Sequence, residues 1–212
     1  MNSQQLINVG WRLARPSLVL KEATVDEPIV AIWGGPGVIP APNTTFRHII
    51  SIDCRFLPQN PLGLTGWLSV YGNDRFDNSG VVLVDRDVAR STDKPMGLLL
   101  RGHVAQSFPP IDAIVQEPAV QVWLTENGWE HNPQKNAYFD DDACTAVFQE
   151  HCPIYTDQTI AVLGGWHFPW EDKDWDALRQ HTLIVWTFRD AEPWIEVLLS
   201  PAGKFEVRAR IS

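Results

Sequence analysis

The chain has 212 residues, 44% of them hydrophobic and 20% charged, so a packed core is expected and wholesale disorder is excluded. Its 26 acidic against 17 basic residues give a formal charge of −9, which argues against nucleic acid or an anionic membrane as partner and favours a basic protein. Three widely or unevenly spaced cysteines, Cys54, Cys144 and Cys152, make no disulfide framework. No run approaches the roughly 18 apolar residues of a membrane span, and residues 1–6 carry no basic start leading into an apolar stretch, so a cytoplasmic location is expected.

At the amino terminus the stretch around residues 6–13 is ambiguous. Period-two patterns then predict strands at 17–21, 28–33, 47–54, 66–71, 80–85, 120–124, 159–163, 182–188 and 194–199, each bounded by turn residues. The clearest is 205–211, where Phe205, Val207, Ala209 and Ile211 alternate with charged residues; one face should be buried and the other wet. Helices are few. The acids Asp140, Asp141 and Asp142 precede Ala143, Ala146 and Val147 at helical spacing, which predicts a capped helix. Asp172 or Asp174 could cap a second, short one carrying Trp175 and Leu178. The expected fold class is α+β, predominantly antiparallel β with few short helices.

The chain also echoes itself. The run Ile29, Val30, Ala31, Ile32, Trp33, Gly34, Gly35 is answered by Ile160, Ala161, Val162, Leu163, Gly164, Gly165. A proline follows each (Pro40, Pro169), then a strand, then a glycine-led strand beginning at Gly66 or Gly203. Two similar halves, about 14–125 and 126–212, packed into one globular domain over 1–212, would produce this order.

Few residues carry a chemical signature. The run of Asp140, Asp141 and Asp142 reads as a helix start, where carboxylates offset the dipole and cap free N–H groups. It also reads as a contact for a basic partner, whereas a hard-cation site would need oxygen ligands from more separated positions. The stretch 166–176 mixes Trp166, Trp170 and Trp175 with Glu171, Asp172, Asp174 and Asp176. Aromatic anchors rimmed by charge are the composition of an interface hot spot; the alternative is a loop whose indoles fill the core and whose acids are solvated. Cys144, His151 and Cys152 lack both zinc spacing and a fourth ligand, and a structural thiol is the expectation. The nucleophile-elbow, zinc-helix and phosphate-loop motifs are missing, and the turn Gly34, Gly35, Pro36, Gly37 leads into no predicted helix that could aim N–H groups at a phosphate. Asp85 and Asp87, imaginable as a glycosidase pair, fall where a strand gives way to a turn. No catalytic, metal-binding or cofactor-binding residue is therefore assigned.

Several of these residues carry a resemblance. Ala14, Arg15, Pro16, Ser17, Leu18, Val19 and Leu20, followed by Trp33, Gly34, Gly35 and Pro40, resemble the opening of the YwqG-like (DUF1963) family. Ile49, Ile50, Ser51, Ile52 and Asp53, then Leu57 and Pro58, then Gly66, Trp67, Leu68, Ser69, Val70 and Tyr71, are similar to that family's middle stretch. Leu163, Gly164, Gly165 and Trp166 are similar to its second half. Ser51 stands where the family usually has glutamine, and Gly72 where it has a second aromatic.

The resemblance implies a β-rich fold of duplicated plan without enzymatic activity. Its bacterial members include immunity proteins that neutralise secreted toxins, nucleases of the type VI secretion system among them, and it is related to chaperone-like proteins that escort a ribosomal protein. An acidic chain suits the first role, because a nuclease presents a basic cleft. The expectation is an immunity protein that occludes or distorts a cognate toxin with a basic surface. Its proposed contacts are Asp140, Asp141, Asp142, Glu171, Asp172, Asp174 and Asp176, with Trp170 or Trp175 as anchor. The alternatives are a chaperone-like or scaffold module holding a client along a sheet edge, and an enzyme of unrecognised type.

Overall fold

The computed structural model describes residues 1–24, 26–73, 80–86, 97–129, 141–151, 158–166, 180–188 and 194–210. Within them lie ten strands: β1 (Arg15–Glu22), β2 (Ala31–Trp33), β3 (Phe46–Asp53), β4 (Trp67–Asn73), β5 (Val81–Asp85), β6 (Leu98–Ser107), β7 (Ala161–Gly164), β8 (Thr182–Thr187), β9 (Trp194–Leu199) and β10 (Phe205–Arg210). Four α-helices accompany them: α1 (Ser3–Leu13), α2 (Ile111–Ile114), α3 (Pro118–Glu126) and α4 (Asp142–His151). The fold is thus predominantly antiparallel β with short helices.

All ten strands join one sheet in the order β10-β9-β8-β7-β1-β6-β2-β3-β4-β5. The two outermost strands, β10 and β5, lie against each other, and a Cβ placed on Gly80 would run into the Val207 side chain. The sheet therefore nearly closes on itself, which hides the hydrogen-bonding edges that an open sheet exposes. Its interior holds the main core, to which Leu18, Leu20, Ile50, Ile52, Leu68, Leu100, Leu163 and Val197 all contribute. The alternation of β10 places Phe205, Val207 and Ala209 against that core, while Glu206 and Arg208, on the opposite face, pair with each other at 3.0 Å.

Two meanders flank a central antiparallel pair. β2 to β5 run in sequence on one side and β7 to β10 on the other, with β1 and β6 between them. The first strand of each meander ends in paired glycines in the left-handed region, Gly34 and Gly35 at φ 65° and 71°, and Gly164 and Gly165 at φ 65° and 82°. Register shifts by one residue between His48 and Ile50 against β4, and again between Leu183 and Val185 against β9.

The helices form a separate layer with its own core of Leu6, Val9, Phe108, Ile114, Val115, Val120, Leu124 and Cys144. The ambiguous amino-terminal stretch is helix α1, because a capping box starts it: Gln5 N–H donates to Asn2 Oδ1 at 3.0 Å, and Asn2 N–H to Gln5 Oε1 at 2.8 Å. Gly10 lets α1 sit on the Phe108 ring, which a Cβ there would strike.

Residues 120–124, expected as a strand, belong to helix α3. Pro118 occupies its first turn, where the missing N–H costs nothing. Val120 and Leu124 are buried one turn apart while Val122, which a strand would have buried with them, is 58% exposed. A strand at 98–107 was not expected, yet β6 is central to the sheet. The second short helix, at Asp172 or Asp174, lies outside the described residues.

Candidate functional site

Asp141 and Asp142 are the two expected contact acids that fall within the described residues, and they differ. Asp141 caps α4: Oδ1 accepts the Cys144 N–H at 2.9 Å, and Oδ2 accepts the Ser3 hydroxyl of α1 at 2.9 Å. One carboxylate oxygen thus caps α4 and the other ties it to α1. Asp142 is the first residue of α4 and is exposed. Asp140, Trp170, Glu171, Asp172, Asp174, Trp175 and Asp176 lie outside the described residues, as do Asp87 and Cys152. Of the remaining cysteines, Cys144 is buried in the helical core. Burial, then the charge of Asp53, pushes the buried Cys54 thiol up to about 11, which makes it a poor nucleophile at neutral pH. His151 stacks edge-on against Trp11, centroids 4.8 Å apart. Among the described residues no three His, Cys, Asp or Glu side chains gather to hold a metal, and no helix is long and apolar enough to cross a membrane.

The helical layer presents an outward feature that the sequence reading did not single out. Val122 and Glu126 are one turn apart on α3 and both exposed; Trp129 follows the Gly128 turn at the helix end and is 50% exposed. Gly128 at φ 74° and the bond from Trp129 N–H to Leu124 O at 2.8 Å fix the backbone at Trp129 as a helix C-cap. Exposed tryptophans are among the side chains that contribute most to protein interfaces, which makes this end of α3 a candidate contact. Its signal was hidden by reading 120–124 with period two.

On the outer face of the sheet, loop 34–39 covers a chain of polar groups that the sequence reading passed over as scattered. His48 Nδ1 meets Gly34 O at 2.8 Å; a carbonyl only accepts, so Nδ1 carries the proton. With the imidazole neutral, Nε2 accepts from the Ser51 hydroxyl at 2.8 Å, and Ser51 Oγ accepts from the Ser69 hydroxyl at 2.7 Å. Val38 N–H donates to Ser51 Oγ at 3.1 Å and Ile39 N–H to Ser69 Oγ at 3.4 Å, while the Tyr71 hydroxyl donates to Ile39 O. Burial pushes the His48 pKa below its ordinary value, although backbone hydrogen bonds act the other way.

A serine bonded to an oriented histidine is the geometry of nucleophile activation. Here, however, Ser51 and Ser69 are both fully buried, and Ser51 Oγ already accepts two hydrogen bonds. The arrangement satisfies the loop's inward N–H groups and latches the loop to the sheet. The departure at Ser51 was noted in the sequence, but its link to His48, three residues earlier on the same strand, depends on the irregularity between His48 and Ile50, which spacing does not show.

The sequence matches no family model and no curated protein.

Proposed function

We propose that this chain is a partner-binding protein of the immunity type, acting in the cytoplasm on a basic protein toxin, as its resemblance to the YwqG-like family implies. The observation that carries the reading is the exposed set of Val122, Glu126 and Trp129 on a chain whose charge is −9. A half-exposed indole and an exposed valine leave apolar surface open to a partner, and the exposed Glu126 on the same helix suits a cationic one. Exposed Asp142 at the start of α4 adds to the same charge complementarity. Near-closure of the sheet weighs against the alternative in which a client peptide lies along a sheet edge.

We further propose that the sheet consists of two similar units, β1 to β5 and β6 to β10. The matched glycine pairs and the matched register shifts support this reading. On this reading the junction falls between β5 and β6, upstream of the boundary near residue 125 that the sequence echo suggests.

The test of function is co-expression of the tagged chain with the product of the adjacent gene, followed by pull-down. Recovery of one stoichiometric toxin-like domain whose toxicity the chain suppresses would support immunity, with Trp129→Ala weakening both. Recovery of ribosomal proteins or a diffuse set of clients would overturn it in favour of a chaperone-like role.

A further inference from the structure

Loop 34–39 crosses β3 and β4 with little apolar packing to hold it there. Val38 and Ile39 are half-buried and belong to none of the apolar clusters of the core. The attachment is polar instead: Val38 N–H on Ser51 Oγ, Ile39 N–H on Ser69 Oγ, and the Tyr71 hydroxyl on Ile39 O. Gly37 at φ 82° lies directly over the site, for a Cβ there would run into the Tyr71 hydroxyl and the His48 ring. Gly34 N–H donates to Ile49 O of β3 at 2.9 Å, which ties the chain to the sheet as far as Gly34. Gly34 and Gly35 both have positive φ, and the space around Gly34 is open, so the backbone can turn there. On the far side residues 40–45 are exposed.

The imidazole beneath the loop tolerates one proton and not two. Nδ1 donates to Gly34 O, so Nε2 must accept from Ser51. A second ring proton reverses the Ser51 and Ser69 hydroxyls and leaves the Ser69 proton in need of an acceptor. It also puts a charge where burial disfavours one. The groups facing the ring are Gly34 O and Gly37 of the loop, Ser51 on its own strand, and Ser69 and Tyr71 of β4, the Tyr71 ring at 5.3 Å. Tyr71 is the titratable one among them, and burial pushes its pKa up, so it stays neutral when the histidine titrates. Arg47, next on β3, is exposed and by strand alternation lies on the other face. Among the described residues no charged side chain acts on the ring.

We propose that residues 35–39 form an acid-released flap: when His48 gains a proton the flap lifts about Gly34 and Gly35, admitting water to His48, Ser51, Ser69 and Tyr71 while the sheet stays folded. Water then takes the Nε2 proton's hydrogen bond and satisfies both hydroxyls. In the lifted form the imidazole regains its ordinary affinity for a proton. Lifting is therefore favoured as pH falls below about 6.5, by up to about tenfold per pH unit, until the closed form is protonated as well. Such local opening costs less than global unfolding because few apolar contacts are broken. The device goes beyond partner binding and does not depend on it.

The experiment is amide hydrogen exchange by NMR on the isotopically labelled full chain, from about pH 7.5 to about pH 5, corrected for the intrinsic rate, with the His48 ring titrated in the same samples. Expected is a loss of protection at the Val38 and Ile39 amides of up to about tenfold per pH unit, in step with the ring titration. The Gly34 and Asp53 amides, bonded to Ile49 O and Val30 O, should keep their protection. His48→Gln should abolish the pH dependence. Tyr71→Phe removes one bond from the flap and leaves the imidazole in place, so protection should fall at every pH with the slope retained. Should either variant fold poorly, the amide and ring titrations of the wild type decide alone. Protection at Val38 and Ile39 that ignores pH, that is lost together with Asp53, or that keeps its slope in folded His48→Gln would overturn the proposal.

Discussion

Ser51 Oγ and His48 Nε2 stand 2.8 Å apart, and because Nδ1 donates to Gly34 O this contact sets the direction of the Ser51 and Ser69 hydroxyl protons. Were His48 to gain a proton, Nε2 would have to donate, Ser51 would turn its hydroxyl to Ser69, and the Ser69 hydroxyl would need a new acceptor. Burial already pushes the His48 pKa below its ordinary value, with backbone hydrogen bonds from the ring opposing. Because the folded pKa is the lower one, the unfolded chain takes up the proton first as pH falls below about 6.5. The contribution of His48 to stability is therefore fully present above that value and is lost as pH falls toward and through the folded pKa. Urea midpoints measured from about pH 7 to about pH 5 should fall more steeply in the wild type than in His48→Gln; equal slopes would contradict the latch.

The two serines should not be equivalent. Ser69→Ala leaves the Ile39 N–H without its acceptor and takes from Ser51 Oγ one of its two donors, and should cost about 1–2 kcal/mol, because Ser51 Oγ keeps the Val38 N–H. Ser51→Ala leaves Val38 N–H, His48 Nε2 and the Ser69 hydroxyl each short of a partner, and should cost about 2–4 kcal/mol, more than one unmade bond. The double variant should fall well short of the sum, since both changes break one network. Additive losses in denaturation would show that the groups act independently.

The adjacent acids at the start of α4 separate structure from recognition. Asp141→Ala frees the Cys144 N–H and the Ser3 hydroxyl, and should cost about 1–2 kcal/mol of stability as a lost cap. Asp142→Lys alters an exposed side chain and should change stability by about 0.5 kcal/mol or less, by the helix dipole. With a basic partner in hand, Asp142→Lys should slow association and flatten its salt dependence. An unchanged on-rate would remove Asp142 from the interface.

One glycine from each of the two glycine pairs makes a further contrast. A Cβ on Gly34 would meet nothing within 4 Å, whereas one on Gly165 would lie 2.7 Å from Ser107 Cβ. Both have positive φ. Gly34→Ala should therefore cost only the backbone strain, about 1 kcal/mol. Gly165→Ala adds an overlap that the sheet must shift to relieve, and should cost about 2–4 kcal/mol. Thermal midpoints in the reverse order would refute the assignment.

What the sequence revealed follows the strength of its periodicity. β10 was legible from its alternation of apolar and charged residues, and β3 was legible as a strand although both its faces are buried from residue 49 to 53. Strand β6 was not, for its inward series passes through Gly102, where a side chain would strike Leu18, and ends on Val104, which is 85% exposed. Residues 120–124 alternate by accident, and the stronger signal was Pro118 with Val120 and Leu124 at helical spacing. The echo from Ile29 to Gly35 fell on β2 and its answering run on β7, both correctly placed as strands. The glycine-led strands at Gly66 and Gly203 precede β4 and β10, which hold different places in their meanders. The latch of His48, Ser51 and Ser69 needed the cross-strand register of Ser51 with Ser69, which no local pattern encodes.

Val30 and Ile160 provide the sharpest test of the proposed two-unit plan. Val30 N–H donates to Leu100 O of β6 at 2.8 Å and Val30 O accepts from Asp53 N–H at 3.0 Å; Ile160 N–H donates to Leu20 O of β1 at 2.9 Å and Ile160 O accepts from Phe188 N–H at 2.9 Å. Each residue thus leads its meander while bonding to the first strand of the opposite unit. β1 lies between β7 and β6, and β6 between β1 and β2, so β1 has no neighbour from its own unit and β6 none from its own. Fragments cut between β5 and β6 would each expose one orphan strand and lose the closing contact of Gly80 with Val207. Neither fragment alone should unfold cooperatively, whereas the two expressed together should assemble into one complex with the far-ultraviolet spectrum of the intact chain. A first fragment that folds cooperatively alone would mean that β1 can pair within its own unit, and the exchanged plan would fall.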